Sequence, residues 1–69
     1  MKKIIYKTVR LSYGNGFDEV LQIFLSSGWS LKKHIKPDYN TGGVNHYLTF
    51  ESGSDFKEPK IDISGAYLL

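Results

Sequence analysis

The stretch from Phe17 to Trp29 constrains the fold of this chain more than any other, because it reads as a complete amphipathic helix with both end signals in place. Phe17, Val20, Leu21 and Phe24 recur at the spacing that lines one helical face. Gly16 is placed to act as N-cap, and Asp18 and Glu19 occupy the first turn, where the helix dipole favours negative charge. Gly28 follows the last periodic residue and suits the left-handed C′ position. That puts Trp29 at C″ and Phe24 at C3, the pair whose apolar contact commonly accompanies such a stop. Trp29 is therefore expected in the core.

Strand signals lie on both sides of this helix. Residues Lys3 to Leu11 are rich in β-branched and aromatic types, and Tyr13-Gly14-Asn15-Gly16 then punctuates them. After the helix, Trp29, Leu31 and Ile35 alternate with Ser30, Lys32, His34 and Lys36, Lys33 interrupts the apolar series, and Pro37 ends the run. The turn-forming segment Asp38-Tyr39-Asn40-Thr41-Gly42-Gly43 leads into a second alternation, with Val44, His46, Leu48 and Phe50 on one side and Asn45, Tyr47, Thr49 and Glu51 on the other. These two runs predict an antiparallel hairpin. Ser52-Gly53-Ser54-Asp55 breaks regular structure again, and Ile61 and Ile63 stand at strand spacing before the ending Ala66-Tyr67-Leu68-Leu69. The order β-α-β-β with a short fourth strand gives an α+β fold, a small antiparallel or mixed sheet with one helix on one face. One domain spans residues 1 to 69, with residues 52 to 69 a tail, short strand or arm.

A chain of about 60 residues hides only roughly 60% of the surface its unfolded form exposes, so extra support is expected. This chain has 69 residues and no cysteine, which closes the disulfide route, weakens the metal route and leaves self-association as a homo-oligomer. The start Met1-Lys2-Lys3-Ile4-Ile5 resembles the opening of a signal peptide, but Lys7 and Arg10 interrupt the apolar run. No apolar run approaches the ~20 residues of a membrane span. A cytoplasmic location with no membrane partner is expected. The formal charge of +2 is small, yet Lys2, Lys3, Lys7 and Arg10 crowd the first ten residues without an acid among them.

Tyr6-Lys7-Thr8-Val9, then Ser27-Gly28-Trp29-Ser30-Leu31, then Tyr47-Leu48-Thr49-Phe50, together resemble a family of short bacterial and phage proteins of unknown function. Its members run Tyr-Lys-Val-Val, a helix, Glu-Gly-Trp-Glu-Leu and a closing aromatic strand. The likeness covers about residues 4 to 51, and its most specific element is the Gly-Trp-x-Leu corner. The chain departs from the pattern at Ser30, where the family usually has an acid, and in carrying residues 52 to 69 beyond the last matched strand. The resemblance implies a fold and a prokaryotic or phage setting, not an activity.

Few residues suggest chemistry. Gly14-Asn15-Gly16 stands between strand and helix as a phosphate loop would, but Glu19 occupies the place of the third glycine, and a phosphate would meet both Asp18 and Glu19. His34 and His46 are the only histidines, short of the ligand count of a zinc site. Strict alternation sends His46 toward the helix and His34 away from it, so the two are not expected to converge. No serine stands in a recognisable nucleophile setting. The expectation is a non-enzymatic protein with no catalytic residues, cofactor or metal.

The sheet face opposite the helix carries the richest set. Lys32, His34 and Lys36 share one side of their strand by alternation, and Asn45 and Tyr47 share the matching side of the next. Lys7 joins them if Ile4, Tyr6 and Thr8 face the helix, an alternation that also leaves Ile5, Val9 and Leu11 open and in need of a cover from a second copy, the tail or a partner. Lys7, Lys32, His34, Lys36, Asn45 and Tyr47 are the candidate binding residues. The function expected from them is a phage-type inhibitor or accessory factor that occludes a host protein. The alternative is a binder of nucleic acid or a small anionic nucleotide, with the basic groups on phosphates and Tyr47 as a stacking platform.

Overall fold

The computed structural model describes residues 4–69, and of Tyr39 the backbone, so Met1, Lys2 and Lys3 with the first residue of the expected strand and two of its basic groups lie outside the described residues. Strand β1 (Tyr6–Ser12) leads through a glycine turn to α1 (Phe17–Ser26), then β2 (Trp29–Ile35), a short 3-10 turn (Tyr39–Thr41), β3 (Asn45–Ser52) and β4 (Ala66–Leu68). The sheet is antiparallel throughout, in the order β2-β3-β1-β4. Since β1 and β2 both run antiparallel to β3, they are parallel to one another with β3 between them, so β1-α1-β2 is a split β-α-β unit.

The helix stop forms as its sequence dictates. Gly28 adopts φ +87° and its N–H donates to the Leu25 carbonyl at 3.3 Å, while Phe24 and Trp29 meet edge to face with centroids 5.5 Å apart. Val20 and Phe24 are the buried residues of α1, and Phe24 stacks on Phe50 of β3 at 3.9 Å. With Val9, Leu11, Trp29, Leu48 and Phe50 they form one core.

The first strand turns the opposite way from the expected one. Val9 and Leu11 are buried beneath the helix layer, Ile5 packs beside them, and Tyr6, Thr8 and Arg10 point to the open side. Lys7 therefore lies on the helix side, opposite Phe50, where its ammonium sits 3.4 Å from Glu58. Burying Val9 and Leu11 in place of Thr8 and Arg10 removes more apolar area from water, which decides the parity.

Only part of the helix-side face is covered by α1. Residues 53–65 supply the rest as an irregular strap that runs alongside α1, from Phe56 at Gly28 to Ile63 at Gly16. Trp29 donates its indole N–H to the Lys57 carbonyl, the Lys57 N–H donates to Ser27, and the Gly53 N–H donates to Gly28. Phe56, Ile61 and Ile63 pack on the core, so the spacing of the two isoleucines serves packing and not a strand. The fourth strand forms after them, along β1. Val9 and Leu11 lie beneath α1 and the strap, so the apolar side of β1 expected on the face away from the helix is instead on the helix side. Among the described residues no helix is long and apolar enough to cross a membrane.

Candidate functional site

Among the described residues no element packs on the face away from α1, and sheet pairing determines what this open face displays. Ile35 of β2 lies opposite Tyr47 of β3, Tyr47 opposite Arg10 of β1, and Arg10 opposite Tyr67 of β4. One row thus crosses all four strands: an aliphatic side chain, a tyrosine, an arginine and a second tyrosine. The Arg10 guanidinium carbon stands 4.9 Å from the centre of the Tyr67 ring, within cation–π range, which holds a flexible cation against a rigid ring.

A second row lies beside it, with Lys33, Thr49 and Thr8 in register and the two threonine hydroxyls 3.1 Å apart. At the far end Glu51 accepts from the Tyr6 hydroxyl at 2.8 Å and faces the Lys32 ammonium at 3.6 Å. The hydrogen bond to Glu51 and then its charge raise the Tyr6 phenol above its ordinary value, so it stays a donor at neutral pH. The one acid of these rows is thereby engaged by Tyr6 and Lys32, leaving Arg10 and Lys33 to set the sign of the face.

The sequence-derived site is partly assembled and partly rearranged. Tyr47 and Lys32 are on the open face, and Asn45 is there too, half-buried at the end of β3 opposite Ser12. Lys7 is on the other side, as described, and so is His34. Between Leu31 and Lys33 the β2–β3 register slips by one residue, so the parity of β2 reverses beyond that bulge. Lys33 and Ile35 come to the open face, with Ile35 45% exposed, and His34 turns inward opposite Leu48. Lys36 lies exposed beyond the end of β2, close enough for its charge to bear on His34.

The sequence did contain a sign of this reversal. Lys33 interrupts the apolar series where strict alternation would bury it, and a bulge is the usual way for a strand to avoid burying an ammonium. Arg10, Tyr6 and Tyr67 were missed for a different reason, since their place on the face depends on the parity of β1 and the pairing of β4.

The reversal also brings the two histidines together, against the expectation that they diverge. His34 Nε2 and His46 Nδ1 are 3.0 Å apart. Their ring centroids are 5.2 Å apart at 25° between planes, so the rings meet edge to edge across one N–H···N bond. Phe17 at the start of α1 leans on His34 at 5.1 Å. Gly14 leaves room for His46, because a Cβ there would stand 3.2 Å from the ring. Burial first, then the charges of His46 and Lys36, lower the affinity of His34 for a proton. Among the described residues no group of three or more metal-ligating side chains is present, and no pocket opens. No family model, curated protein or solved structure matches the chain.

Proposed function

We propose that this chain is a non-enzymatic binding protein that docks on a protein partner through its open sheet face and acts by occupying it, as an inhibitor or accessory factor of a bacterial or phage system would. The row Ile35–Tyr47–Arg10–Tyr67 carries the reading. Tyrosine and arginine are over-represented among the residues that dominate protein interfaces, because each combines a large contact area with a polar group at the rim. Here Tyr47 and Arg10 stand on the two central strands of a hydrogen-bonded sheet, flanked by Thr8, Thr49 and Lys33, so little of their side-chain freedom is lost on contact.

A second reading is favoured by one observation. Tyr47 and Arg10 sit on the two central strands, and among the described residues no element covers that side, as in sheets that stack unpaired bases on aromatic rings. The two readings separate in one experiment: capture from an extract of the encoding organism by the immobilised chain and by its Arg10→Ser, Tyr47→Ser form, with and without nuclease. A polypeptide kept by the parent, lost by the variant and indifferent to nuclease supports the protein partner. Nuclease-sensitive retention that weakens steeply with salt supports the nucleic-acid reading. Identical retention by both forms overturns the open face as the site.

A further inference from the structure

The histidine pair lies directly behind the row on the open face. His34 immediately precedes Ile35 in β2, and His46 immediately precedes Tyr47 in β3, and Ile35 and Tyr47 are opposite one another across the strand pair. We propose that the His34–His46 bond is a pH-sensitive latch that holds this end of the β2–β3 hairpin, so that acidification rearranges the Ile35–Tyr47 part of the open face from behind.

The argument starts from proton counting. An N–H···N bond needs one ring as donor and the other as acceptor, which a neutral pair or a pair with one extra proton both provide. A second extra proton leaves two donors face to face and two like charges 3.0 Å apart. The pair then has to part. Successive residues of a strand point to opposite faces, so backbone movement at His34 or His46 is passed to Ile35 or Tyr47.

The surroundings do nothing to rescue the doubly charged state. From β2, Lys36 adds a further positive charge. From α1, Phe17 presents a ring and the positive end of the helix dipole, while its first-turn acids Asp18 and Glu19 are exposed. From the preceding turn Gly14 brings no charge, and from β1 Leu11 is the residue opposite His46. In the loop after β2, the Asp38 carboxylate accepts from the Asn40 N–H. Burial, His46 and Lys36, in that order, are the influences on His34, and each opposes its protonation.

The consequence for binding rests on the docking reading above, but the movement does not, and it is measured on the free protein. Amide and imidazole NMR signals are followed from pH 8 to pH 5 in the parent and in the His34→Gln, His46→Gln and double variants. The expected result is that the His34 ring signals titrate below the ordinary imidazole range. The amides of Ile35 and Tyr47 should move with that step, while those of Val9 and Leu48 stay in place. In any variant that folds, the Ile35 and Tyr47 shift should fall several-fold. An ordinary titration of His34, still open-face amides, or an open-face shift that survives the substitutions would overturn the latch. None of those outcomes bears on whether the face binds a partner.

Discussion

The indole N–H of Trp29 donates to the Lys57 carbonyl at 2.8 Å, joining the residue after the helix stop to the middle of the strap. Trp29 is also 3% exposed and lies edge-on to both Phe24 and Phe56, so one side chain closes the core and anchors its irregular cover. Trp29→Ala should cost roughly 3–5 kcal/mol, and Trp29→Phe about 1–3 kcal/mol, because the smaller ring leaves the carbonyl without its donor. Urea unfolding midpoints measure both. Trypsin should cut after Lys57 or Lys60 faster in Trp29→Phe than in the parent, since the strap is the segment released.

Gly28→Val should destabilise for two reasons. The left-handed conformation at φ +87° costs a residue with a side chain about 1–2 kcal/mol, and a Cβ would stand 3.1 Å from the Phe56 Cα, where backbone has to move. A total above about 2 kcal/mol is expected from chemical denaturation. An unchanged midpoint would mean that the helix ends elsewhere.

Lys7→Met tests the parity of β1. The Lys7–Glu58 pair is partly open to water, with side chains 25% and 66% exposed, and pairs of that kind contribute about 0–1 kcal/mol. The substitution should leave stability within about 1 kcal/mol and leave the amide signals of Arg10, Tyr47 and Tyr67 unmoved. Shifts spread across those open-face residues would contradict the placement of Lys7 on the helix side.

The fold lowers the proton affinity of His34 below its ordinary value of 6.5, so it is the neutral ring that the native state favours. The unfolded chain then binds more protons through that range, and stability rises with pH. This contribution is fully present above the ordinary value and is lost as pH falls through the folded one. The thermal midpoint should therefore drop between pH 7.5 and pH 5, and the drop should be shallower in His34→Gln. Equal slopes for the two proteins would remove His34 from the pH response.

Self-association is proposed from the small size of the chain and from the apolar groups still exposed on the open face, Ile35 and Tyr67 among them. Sedimentation equilibrium at micromolar concentration should give a mass above the 7.9 kDa of one chain. An Ile35→Ser, Tyr67→Ser form should shift toward that monomer mass. A constant 7.9 kDa in the parent at all accessible concentrations would rule self-association out and leave the face to a foreign partner.

The helix and its corner were legible in the sequence because every contact that defines them is local. The spacing of Phe17, Val20, Leu21 and Phe24, the acids of the first turn, and Gly28 followed by Trp29 act within about one or two turns of chain. The β2–β3 hairpin and the side taken by Leu48, Phe50 and Tyr47 were legible for the same reason, since alternation within β3 runs unbroken.

Tertiary structure decided three things. The parity of β1 depended on which of its two partly apolar sides buried more, and that is settled only against the helix, the strap and β3. The faces of His34 and Ile35 depended on one extra residue at the bulge, and because strand side chains alternate with a period of two, a slip of one residue sends every later side chain to the opposite side. The strap showed in the sequence only as the spacing of Ile61 and Ile63, which reads as a strand. It is held by Trp29, Ser27 and Gly28 meeting Lys57 and Gly53 across a long stretch of chain, and bonds between distant residues impose no repeat on the segment that makes them.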